Sequence, residues 1–139
     1  MRILSLVVLG VLATVGLTGC ASGGTSDPSA TFCTGFQDSW NTFGRGQATD
    51  GSEESAIRAS LSLQQEWEDL FASNLPDRIT DLGLTSKFVA AWNATTRVER
   101  QPAEESLTNS AQILAMECSA SGTEITLAPL TYPLRPSVR

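Results

Sequence analysis

Histidine is absent from all 139 residues. That removes the commonest general base and the commonest metal ligand together. Serines are plentiful, but no imidazole exists to activate one. G-x-S-x-G, S-x-x-K and a phosphate-cradling glycine loop are missing as well. Positive charge is scarce, with nine Lys and Arg against fifteen Asp and Glu and a net charge of −6. A chain that acidic lacks the basic face needed for nucleic acid or for adhesion to anionic lipid. Cysteine occurs three times and never as C-x-x-C, so a zinc knuckle and a thioredoxin-type redox pair are excluded.

What is present begins with one apolar run. "ILSLVVLGVLATVGLTG" follows Met1-Arg2, and no charge returns until Asp27. An uncharged run of about 20 residues is long enough to span a bilayer. A basic start, an apolar stretch and a small-residue exit also describe an export signal, either an ordinary secretory one or a lipoprotein one. Leu17-Thr18-Gly19-Cys20 favours the lipoprotein form, because it resembles the lipobox of bacterial lipoproteins in sequence, position and preceding run. Arg2 is a thin basic region for that family. The resemblance covers the leader alone. It implies a signal peptide over 1–19, a diacylglyceryl group (palmitate-type acyl chains) on the Cys20 thiol, and Cys20 as the mature N-terminus. Losing Arg2 with the leader takes the charge from −6 to −7. Two acyl chains hold firmly where one binds reversibly, since each buried methylene contributes ~0.8 kcal/mol. Residues 20–30, "CASGGTSDPSA", then read as the lipidated cysteine and a small, polar, flexible tether.

With Cys20 assigned to lipid, Cys33 and Cys118 remain as a disulfide pair in an oxidising compartment, or else as two buried thiols. They stand 85 positions apart. The chain-entropy model gives such a loop roughly 4–5 kcal/mol.

Residues 31–121 carry four segments of helical period. Phe32, Cys33, Phe36, Trp40 and Phe43 recur at three or four, and Gly44 with Gly46 is expected to end that helix. "DGSEES" opens the second, with Asp50 or Ser52 as cap and Glu53 and Glu54 at the positive end of the helix dipole. Its apolar positions are Ile57, Leu61, Leu63, Trp67, Leu70 and Phe71, and Ser73-Asn74 with Pro76 stops it. The third is expected to start near Pro76, carry Ile79, Leu82, Phe88, Val89 and Trp92, and bend at Gly83. In the fourth, Pro102 fits the first turn, Leu107, Ala111, Leu114, Ala115 and Cys118 form the buried face, and Gly122 is the stop. Cys33 lies near the start of the first helix and Cys118 near the end of the last. In an up-down arrangement those ends meet only for an even number of helices. The expected fold is therefore all-α, an antiparallel four-helix bundle stapled between its first and last helices.

Residues 122–139 change character. Their prolines forbid a helix interior, and Ile125, Leu127, Leu130, Tyr132 and Leu134 are too apolar for a free tail. The segment is expected to be extended and to lie along a groove of the bundle, or to serve as a docking strap. Pro133 and Pro136 have PxxP spacing, a weak signal alone.

Few residues qualify as a site. Trp40, Trp67 and Trp92 fall one per helix on the first three helices; they read as core or as an aromatic ligand cage. Glu66, Glu68 and Asp69, and Glu104 with Glu105, read as solvated carboxylates that point in different directions. Arg58, Arg78, Arg97 and Arg100 could meet an anion only if the fold gathered them. Asn93-Ala94-Thr95 matches a glycosylation sequon that a bacterial lipoprotein gives no reason to use. These readings point to a non-enzymatic protein without cofactor or metal. It is expected at the extracytoplasmic face of a cell membrane, held by lipid at Cys20, with an envelope protein or small molecule as partner. The alternatives are a small-molecule or lipid-binding module with a cavity in the bundle, a phage-encoded lipoprotein that excludes superinfection, and a hydrolase using carboxylates alone.

Overall fold

Asp27-Pro28-Ser29 starts the first helix by local chemistry. The Asp27 carboxylate accepts from the Ser29 N–H at 3.0 Å, and Pro28 occupies the first helical position, where its missing N–H costs nothing. The structure, a computed structural model, describes residues 27–49 and 51–136; the leader with Cys20, most of the tether, Asp50 and residues 137–139 lie outside them. Within the described residues the chain is all-helical: α1 Pro28–Thr49, α2 Glu53–Ser73, α3 Leu84–Asn93 and α4 Arg97–Ala120. No helix among them is long and apolar enough to cross a membrane. α1 begins three residues inside the segment read from sequence as tether.

Three further boundaries differ from the sequence reading. Gly44 and Gly46 do not end α1, which continues to Thr49. A mid-helix glycine costs about 1 kcal/mol against alanine, a cost that tertiary contact can offset. At Gly44 the C-terminal segment supplies that contact, as described below. The segment from Pro76 to Gly83 is not helical, so Gly83 is a boundary and not a bend. Gly83 takes φ 66°, a left-handed conformation open to glycine, and its N–H is held by the Asp81 carboxylate at 2.8 Å. Pro102 lies inside α4 and not in its first turn, because α4 starts earlier, at a capping box. Thr96 accepts from the Glu99 N–H while Glu99 reaches back to the Thr96 N–H.

Other ends follow expectation. Ser52 caps α2 through the Ser55 N–H. Gly122 (φ 97°) ends α4 in a Schellman motif, with Thr123 N–H on the Cys118 carbonyl and Gly122 N–H on the Ser119 carbonyl.

The helices form a bundle in which α1 packs on α2, α3 packs on α4, and the two pairs close on each other. The disulfide Cys33–Cys118 ties α1 to α4, with 5.8 Å between α-carbons. The periodic positions of α1 and α4 enter the core as expected, except that Ala115 is only partly buried. Ile57 and Leu61 of α2 point outward, at 36% and 60% exposure. The core is largely aromatic: Phe36, Trp67 and Phe88 are fully buried, and Trp40 stacks on Trp67 with ring centres 6.0 Å apart.

Candidate functional site

The C-terminal segment returns from Gly122 along α1, bound by a row of amide side chains. Gln37 accepts from the Thr126 N–H at 2.6 Å. Asn41 donates to the Thr126 carbonyl at 2.9 Å and accepts from the Ala128 N–H at 2.7 Å. Gln47 donates to the Thr131 carbonyl and accepts from the Thr131 N–H, both at 3.0 Å. Trp40 adds its indole N–H to the Ala128 carbonyl at 2.7 Å. An Asn or Gln amide carries the same donor and acceptor as a peptide bond. The row therefore satisfies the segment's backbone much as a neighbouring strand would. Gly44 lies on the same stripe, where a β-carbon would stand 3.6 Å from Leu130 and 3.8 Å from the Pro129 carbonyl. A β-carbon would fit there in ordinary contact, but a longer side chain would meet the passing segment.

The segment then turns through Tyr132-Pro133, a cis peptide, and buries Leu134 in the core at 1% exposure. The Tyr132 hydroxyl pairs with that of Thr108 on α4 at 2.8 Å. Arg135 bonds Glu53 at the start of α2, 3.0 Å apart. The sequence reading of a tail lying in a groove thus describes the observed placement, whereas the amide row that fixes it was not foreseen. Its signal was the polar spacing of Gln37, Asn41, Gly44 and Gln47 beside the aromatic stripe.

Three clefts adjoin where this turn meets the helix ends. The first, of about 280 Å³, is walled by Phe43, Gly46, Ser55, Ala56, Ala59 and Leu134, among others. The second, of about 310 Å³, lies among Arg97, Arg100, Gln101, Glu104, Tyr132 and Pro133. The third, of about 240 Å³, joins Glu53, Trp92, Arg100 and Arg135. Tyr132 and Pro133 border the first two, Pro133 and Pro136 the first and third, and Arg100 the last two.

The three tryptophans do not converge on one cleft. Trp40 and Trp67 are stacked in the core, and both indole N–H groups are bonded internally, Trp67 to Ser39 at 2.8 Å. Trp92 packs on Phe88 and reaches the third cleft. Of the sequence-selected arginines, Arg97 and Arg100 share the second cleft, whereas Arg58 pairs with Glu54 at 3.8 Å on the open surface. Glu66 accepts from Ser62 and shares a shallow depression with Asp69. Arg100 Nε stands 3.6 Å from Glu104 Oε1, which is buried and accepts no hydrogen bond. Desolvation by burial raises the Glu104 carboxyl above its ordinary value, against the pull of Arg100. Burial also raises Tyr132; its bond to Thr108 opposes this and the Glu104 charge adds to it. Among the described residues, no three Asp, Glu, His or Cys side chains gather as metal ligands.

Comparison with protein families, curated proteins and solved structures returns no match.

Proposed function

We propose that this chain is a lipid-anchored protein of the extracytoplasmic face of a cell membrane, and that its helical domain binds an envelope component without catalysing a reaction. Leu17-Thr18-Gly19-Cys20 carries this reading. The Cys33–Cys118 disulfide supports the compartment, because such bonds persist mainly in oxidising, exported settings. Its pairing also leaves Cys20 as the third cysteine, as the lipid assignment requires.

The domain is read as an antiparallel, up-down bundle. The bond between the start of α1 and the end of α4 supports that order. So do the first cleft, which the end of α1 and the start of α2 share, and the third, which gathers the starts of α2 and α4 with the end of α3.

Feeding cells an alkyne palmitate analogue tests the anchor. The wild-type chain should be labelled and fractionate with membranes. Cys20→Ala should lose the label and leave the membrane fraction; equal labelling of that variant refutes the lipobox reading. Non-enzymatic binding is tested by crosslinking in intact envelopes, where a specific partner or ligand adduct should map to the domain. A small-molecule module is the second reading, and the apolar first cleft favours it.

A further inference from the structure

The first cleft has an unusual origin. Gly46 sits within α1, where glycine costs about 1 kcal/mol against alanine. Gly44, two residues earlier, is accounted for by the passing C-terminal segment. Gly46 is not: a β-carbon there would meet nothing within 4 Å. The space it leaves is continued by Gly51, Ser55, Ala56 and Ala59 and floored by Phe43 and Leu134. The result is a chamber of about 280 Å³, near the lower limit for sites that hold small ligands. Over Pro133 and Pro136 it adjoins the third cleft, which Arg100 and Arg135 line together with Glu53, and Arg100 is already paired with Glu104. Arg135 is half exposed, and Glu53 engages its Nη2, one nitrogen of a group with five donors.

We infer that this pair of clefts is a binding site for a small soluble carboxylate with an apolar body. The body fills the Phe43–Ala59–Leu134 chamber, and the carboxylate meets Arg135 across Pro136. The guanidinium donors that Glu53 leaves on Arg135 match a carboxylate and not a neutral molecule, and the chamber volume excludes a long acyl chain. That the ligand is soluble, and not a lipid of the anchoring membrane, rests on the anchor reading above. The tether joins the start of α1, and the chamber lies towards the other end of that 22-residue helix, where Phe43 and Gly46 stand about 22–27 Å from Pro28 along the axis.

The test uses the purified full chain in neutral detergent micelles, with empty micelles as blank. 4-Phenylbutyrate is the probe, read by saturation-transfer NMR, and 4-phenylbutanol is its neutral counterpart. Saturable binding of the acid is expected, about tenfold weaker in Arg135→Gln and for the alcohol, as for loss of one charge-assisted hydrogen bond. Gly46→Leu should abolish binding while keeping the thermal midpoint at or above wild type. Ser55→Leu fills the chamber from α2 and should do the same if Gly46→Leu fails to fold. Absent binding, equal binding by the alcohol, or undiminished binding in a folded chamber-filling variant overturns the assignment. Displacement of the probe by phosphatidylglycerol in the micelle overturns the soluble source. Lipid labelling at Cys20 is read separately, so the anchor and the cleft can fail independently.

Discussion

Asn41→Ala is the sharpest probe of how the C-terminal segment is held. Asn41 makes two hydrogen bonds to that segment, to the Thr126 carbonyl at 2.9 Å and from the Ala128 N–H at 2.7 Å. Each neutral hydrogen bond contributes about 1 kcal/mol net, and an orphaned partner costs less where water can reach it. Thr126 is exposed and Ala128 is partly buried, so water can replace much of the lost pairing. The expected loss is ~1–2 kcal/mol in segment docking, or about a 5–30-fold rise in its open population. Amide hydrogen exchange resolved by residue is the assay, because each bond has its own reporter. Ala128 N–H reports Asn41, Thr126 N–H reports Gln37, and Thr131 N–H reports Gln47. Faster exchange at Ala128 should spread to Thr126 and Thr131 if the segment opens as one unit. The α4 amides around Leu114 should keep their protection, because the helix pair and disulfide remain. Asn41→Asp should also loosen the segment, since a carboxylate cannot donate to the Thr126 carbonyl. A change at Ala128 below about twofold would refute the view that side-chain amides carry the docking, and would leave Leu134 burial as its source.

Further outcomes test other parts of the fold. At Gly44, alanine meets its neighbours at ordinary contact distances from 3.6 Å, so Gly44→Ala should stabilise α1 by up to about 1 kcal/mol. Gly44→Leu should instead displace the segment and lower the urea midpoint; equal midpoints for the two variants would contradict the close crossing. Replacing Cys33 and Cys118 by serine removes a link across 85 positions and should cost roughly 4–5 kcal/mol by chain entropy, read by denaturation with and without reductant. Glu104 makes the domain pH-sensitive. Its folded-state value is raised above the ordinary 4.5, so the native state holds the proton longer than the unfolded state. Its contribution to stability therefore falls as pH rises from 4.5 through the raised value, then levels off. The stability gap between Glu104→Gln and wild type should widen over that window, and a pH-independent gap would exclude the mechanism.

Several structural decisions were legible without coordinates because their causes are local. The 3.6-residue spacing of Phe32, Phe36, Trp40 and Phe43, the Ser52 cap and the Gly122 stop depend on residues within a turn or two. The capping box at Thr96 and Glu99 was equally local, and expecting Pro102 in the first turn obscured it. Cysteine positions carried one long-range fact, that the start of α1 meets the end of α4, because a covalent bond between distant residues can be inferred by counting.

What sequence alone determined, then, is the helical class, the staple and the expectation of an anchor, all of which rest on near-neighbour chemistry or on arithmetic. Tertiary structure decided the rest. Gly44 and Gly46 read as helix stops because glycine is weak in isolation, yet α1 continues through both, one of them shaped to a segment some 85 residues away. Trp40 and Trp67 could have lined a ligand cage, but stacking and internal N–H bonds are set by which helices become neighbours. The clefts beside Tyr132–Pro136 belong to no single element. They exist where four helix ends and a returning segment meet, and such a surface depends on packing that no local pattern encodes.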